Sequence, residues 1–140
     1  MARRQRHSNN LDLFQDWRPP EPARTWAPEE VRANDIRGVL SRVLARAIAE
    51  SGIDREEISR SAAEYLGEDF PKASLDAYCS QARVEHVIRT DRLLAICHAT
   101  GRAPEIMNAL LSAFGLVVVE ERYLYAIKAQ MAHEEAARLA

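Results

Sequence analysis

From Ile36 to Ile48 the apolar side chains fall at positions 36, 39, 40, 43, 44, 47 and 48, the steps of three and four that line one face of a helix. A strand would need strict alternation, so this stripe has to be buried against other helices. Proline and glycine supply the punctuation. Pro28 with Glu29-Glu30 suits a first helical turn and Gly52 suits a stop, so one helix is expected across this region. A second is expected from Asp54, with Glu57 as its capping-box partner, through Ile58, Ala62 and Leu66 to Gly67. Pro71 opens a short third helix carrying Leu75 and Tyr78. Residues 80–88 read as irregular. Thr90 or Asp91 then caps a helix through Leu93, Leu94, Ile96 and Cys97 to Gly101. A further helix from near Pro104 is expected to bury Ile106, Leu110, Leu111 and Phe114 before Gly115.

The chain has 140 residues, which suggests one small domain with tails. Residues 1–28 form a proline-rich basic arm, expected to be largely extended, with Arg3, Arg4 and Arg6 at its start and Pro19, Pro20 and Pro22 further on. Residues 29–115 form the helical domain. Residues 116–140 begin with Leu116-Val117-Val118-Val119, read as a short extended stretch, and end in a helix from about Glu121. That helix carries Leu124, Ile127 and Met131 on a stripe, either packed on the domain or forming a homodimer interface.

The order short helix, turn, short helix, irregular link, helix, helix is the plan of a small helix-turn-helix domain. Helices of about 54–66 and 71–79 form the pair. The first must lie close to the second, and Ala62 and Ala63 are small enough to permit it. Gly67 supplies a turn residue without a Cβ. In the second helix Leu75 and Tyr78 point inward, leaving Lys72, Ser74 and Asp76 to face outward.

At Ala62-Ala63-Glu64-Tyr65-Leu66-Gly67 the chain resembles the λ-repressor-like (Xre-type) family, and Arg92 to Gly101 looks like that family's following helix. The resemblance covers roughly residues 40–112. The turn from Gly67 to Pro71 is longer than is usual there, and Ser80 to Arg89 contains extra residues. A closer resemblance is to small helix-turn-helix-like proteins of Mu-like transposable phages and prophages. It is carried by Leu11-Asp12-Leu13-Phe14 with Trp17 and Pro19-Pro20, Arg55-Glu56-Glu57-Ile58, Tyr65-Leu66-Gly67, Leu75-Asp76-Ala77-Tyr78, His86-Val87-Ile88 and His98-Ala99-Thr100-Gly101. These resemblances imply an all-α, λ-repressor-like bundle that binds double-stranded DNA as a phage-type regulator.

On that reading, base contacts fall to Lys72, Ser74 and Asp76: lysine donates to guanine, aspartate accepts from cytosine, serine does either. Phosphate contacts fall to Arg55, Arg60, Gln81 and Arg83, with Arg3, Arg4 and Arg6 of the arm adding more. The charge balance opposes it. The net charge is −2, and Gly67 to Arg92 holds four basic residues against five acidic ones, whereas a DNA face draws much of its affinity from phosphate neutralisation. A non-enzymatic protein-interaction adaptor of the same topology is therefore the alternative.

The arm carries its own signal. Asn10-Leu11-Asp12-Leu13-Phe14 resembles the peptide by which bacterial proteins dock on the replication sliding clamp, with Asn10 in place of glutamine. Leu11, Leu13, Phe14 and Trp17 are apolar anchors in a polar arm; they dock either on such a partner or on this protein's own helices. Other chemistry finds little support. Cys79, His86, Cys97 and His98 match no common metal-ligand spacing. No glycine-rich phosphate loop, nucleophile motif or paired carboxylates stand out, so neither enzymatic activity, metal nor cofactor is expected. No apolar run reaches the ~18 residues of a membrane span. With only two cysteines, a reducing cytosol is the expected setting, and the phage-type resemblance implies that of a bacterial host cell.

Overall fold

The computed structural model describes residues 23–80, 82 and 85–140. Among them the regular structure is all helical: α1 (Pro28–Val31), α2 (Ile36–Ser51), α3 (Arg55–Leu66), α4 (Lys72–Tyr78), α5 (Thr90–Thr100), α6 (Ala103–Leu111) and α7 (Leu124–Leu139). Short 3-10 turns occupy Ser112–Phe114 and Glu121–Tyr123.

The single helix expected from Pro28 to Gly52 is two. The chain leaves helical geometry at Arg32 and re-enters behind Asp35, whose carboxylate accepts from the Gly38 N–H at 2.8 Å. That aspartate satisfies an orphan donor of α2 and so starts a new helix where the apolar stripe begins. The caps expected further on also differ. Asp54 occupies the cap of α3, and no side-chain cap bond forms there. Arg89, rather than Thr90 or Asp91, is the cap of α5.

The stripe of α2 feeds two halves of the core. Leu44 and Ile48 join Ile58, Ala62, Phe70, Leu75, Ala95 and Ile96 on one side. Val43 and Ala47 meet Val31, Cys97 and Ile106 on the other. Helix α3 packs most extensively on α5, and α4 is held behind α3. Two side chains expected to be buried are not. Ile36 is 66% and Phe114 75% exposed. Ile36 precedes the part of α2 that other helices cover, and Phe114 lies past the end of α6 in the 3-10 turn that leaves the bundle.

The ends of the bundle are clasped at α6. Buried Asn108 donates through Nδ2 to the Arg24 carbonyl at 3.1 Å and the Val118 carbonyl at 2.9 Å, and its Oδ1 accepts from the Val118 N–H at 2.6 Å. The valine-rich stretch thus finds its backbone partner in a side-chain amide and forms no strand among the described residues. Beside it, the buried Glu105 carboxylate meets Arg102 at 3.1 Å and Arg24 at 3.3 Å, and Arg24 reaches Glu120 at 3.1 Å. On α2, Glu50 takes Trp26 Nε1 at 2.8 Å and Arg102 at 3.3 Å. Replacing Asn108 by alanine leaves two carbonyls and one N–H without their partner; a loss of about 1–3 kcal/mol is expected. Urea denaturation measures it, and an unchanged midpoint would contradict the clasp.

Helix α7 stands apart. None of its residues is buried, and its substantial packing is only on the 3-10 turn that precedes it. No helix of the described residues is long and apolar enough to cross a membrane.

Candidate nucleic-acid interface

Helices α3 and α4 follow one another across a short turn. Gly67 ends α3 at φ 68°, the left-handed conformation that a Cβ disfavours, and its N–H closes on the Ala63 carbonyl. The turn then runs through Phe70, which is 2% exposed. Its ring anchors the loop in the core, with the Tyr78 ring edge-on at 6.2 Å and the Arg92 guanidinium over its face at 4.9 Å. Pro71 caps α4. Leu75 and Ala77 are buried, while Lys72 and Ala73 are exposed and Ser74 and Asp76 half-buried.

Three of the residues singled out from the sequence meet at one spot. Arg55 Nη1 donates to Asp76 Oδ1 at 2.6 Å, and Lys72 Nζ lies 3.6 Å from Asp76 Oδ2. The hydrogen bond from Arg55 is the main influence holding the Asp76 carboxyl below its ordinary range, with Lys72 adding to it. Arg60, on the same helix as Arg55, pairs with Glu57 at 3.4 Å. At the turn that leads into α4, Arg89 meets Glu68 at 2.7 Å and also Asp91 at 2.8 Å, and Arg92 meets Glu68 at 3.4 Å. Around this face, then, Arg55, Arg60, Lys72, Arg89 and Arg92 each have a carboxylate within reach. Ser74 lies on α4 beside the cluster. Gln81 and Arg83 fall outside the described residues, as do Arg3, Arg4, Arg6, Leu11, Leu13, Phe14 and Trp17.

Arg92 is the residue that sequence reasoning passed over. Its side chain, only 17% exposed, donates to Tyr78 Oη at 2.9 Å and to the Asp69 carbonyl at 3.4 Å while covering Phe70. One guanidinium from α5 thereby fixes both the turn and the C-terminal end of α4. Nothing in residue spacing marks it out, because its partners lie 14 and 23 residues away. The Tyr65–His98 stack, with ring centroids 4.7 Å apart, was equally hidden. Lys72 and Asp76 are different: their i, i+4 spacing is itself a salt-bridge pattern.

Cys79 and Cys97 are thiols kept protonated by burial, each pushed up to about 11. Neither is poised as a nucleophile or a thiolate ligand. Among the described residues no three His, Cys, Asp or Glu side chains gather as a metal site would require. The chain matches no protein-family model, no curated protein and no solved structure.

Proposed function

We propose that this chain is a helix-turn-helix DNA-binding regulator that inserts α4 into the major groove. The observation that carries the reading is the setting of α4: a seven-residue helix with Leu75 and Ala77 buried and Lys72 and Ala73 exposed, held behind α3 by an anchored turn. A λ-repressor-like plan orders its helices in this way, with the second helix of the pair reading base edges and the first crossing the backbone. Lys72, Ser74 and Asp76 are the proposed base-facing residues, and Arg55 and Arg60 the proposed phosphate contacts, with Gln81, Arg83 and the arm arginines extending the footprint. The phage-type assignment rests on the resemblance of sequence alone.

One observation favours a second reading, a protein-interaction adaptor. The cations around α4 are matched by carboxylates, which is the charge pattern of a polar protein surface more than of a phosphate-binding one. The clamp-like segment Leu11 to Phe14 would supply one docking peptide for such an adaptor.

Fluorescence anisotropy of the full chain at two salt concentrations separates the two. The probe is a fragment pool from around the protein's own gene, with random duplex as competitor. The DNA reading predicts salt-sensitive binding that survives the competitor. Lys72→Ala should weaken it about two- to tenfold and flatten the salt slope by about one. Absence of binding at low salt would transfer the weight to the adaptor.

A further inference from the structure

Helix α7 has sixteen residues, and every one of them is at least partly solvated. An isolated helix of this length is marginal in water, and most protein helices gain their stability by packing one face. A full-length face is present. Tyr125, Ala129, Ala132, Ala136 and Leu139 follow one another at steps of four, three, four and three, the spacing of a two-helix seam. Tyr125 and Leu139 are each 84% exposed. Leu124, Ile127 and Met131 line another side, but only through the first turns, and Ile127 is already half-buried.

The flank of the long seam identifies what covers it. Lys128 and Glu135 each immediately precede a seam alanine, so both lie along the same edge. Neither forms an ion pair among the described residues. We propose that α7 pairs antiparallel with the same helix of a second copy, about a two-fold axis at Ala132. In that register Tyr125 faces Leu139 of the partner subunit, and the alanines between them let the two helices approach closely. Lys128 of each protomer then faces Glu135 of the partner subunit, so two opposite-charge pairs close the same edge. The match is self-complementary, as a two-fold interface demands. A parallel pairing would lose it, setting Lys128 against His133 of the partner subunit.

Sedimentation velocity of the full chain over a concentration series is the test. A monomer–dimer equilibrium is expected for the wild type. Lys128→Glu and Glu135→Lys, each alone, place like charges along the edge and should weaken association about tenfold or more. An equal mixture of the two variants should associate again, as a heterodimer in which every facing pair is opposite in sign. Ala132→Glu should leave a monomer. Because Lys128, Ala132 and Glu135 are all exposed, all three variants should keep the wild-type thermal transition of the bundle. A wild type that stays monomeric overturns the proposal. So do charge variants that self-associate like the wild type, or a Met131→Glu variant that dissociates where Ala132→Glu does not. Self-association is read here without DNA, so its failure leaves the DNA-binding proposal for α4 standing, and the converse holds as well.

Discussion

Replacing Leu75 by alanine is expected to destabilise the domain by about 2–5 kcal/mol, the range for emptying a fully buried leucine site. Leu75 is wholly inaccessible and packs among Leu44, Ile58, Phe70 and Ile96. Its loss matters doubly because α4 has only seven residues, too few to hold helical geometry unaided. Small domains have about 5–15 kcal/mol in hand, so this one substitution removes a large share. Urea denaturation followed by far-UV circular dichroism should show a lower midpoint with an unchanged slope. Lys72→Ala, on the outer side of the same helix, should move stability by no more than about 0.5 kcal/mol. Equal effects from the two would mean that α4 is not held from its inner face.

Asp76→Ala carries the second large effect, and its sign is opposite to what the loss of a polar surface residue suggests. The carboxylate holds Arg55 at 2.6 Å and Lys72 at 3.6 Å. Its folded pKa is lowered, chiefly by the Arg55 hydrogen bond. The pair's contribution is therefore present above the ordinary carboxylate pKa and fades only as the pH falls through the lower folded value. At neutral pH both cations are tied to it. Removing the carboxylate frees two charges beside the proposed groove-facing helix, and each phosphate contact steepens the salt slope by about 0.9. Affinity for random duplex at low salt should rise several-fold with a steeper salt slope, while on a specific duplex the loss of the proposed base contact offsets the gain. Anisotropy titrations of wild type and variant across salt concentrations decide it. A variant that gains no affinity for random duplex would favour the adaptor. A loss confined to specific duplex would assign Asp76 to base reading.

Much of the bundle could be read from spacing alone, because its helices are local objects. The α2 stripe, the glycine that ends α3 and the inward Leu75 all depend on periods of three and four or on one backbone conformation. The break before α2 was missed because it depends on a competition within four residues, which Asp35 wins by capturing the Gly38 N–H. Phe114 was misread because an apolar residue in step with a helix is buried only if something lies opposite it. The candidate interface was legible in its outline and not in its charge state. That Lys72 and Asp76 share a side of α4 follows from the sequence; that Arg55 arrives from 21 residues upstream to complete the pair requires the folded chain. The same holds for Arg92, whose four attachments to the turn and α4 become neighbours only when α5 docks.

The clasp at Asn108 also determines how the molecule would bear a load. Residues 24 and 118 leave the bundle from one place, joined through a single amide, and the Arg24–Glu120 pair spans them directly. Tension applied between the N-terminal arm and the C-terminal helix would run across this junction and largely bypass the packed helices. If the arm holds one partner while the tail holds another, a pull between them would open the junction first. The core and the α3–α4 pair would remain folded, and the two ends would gain reach.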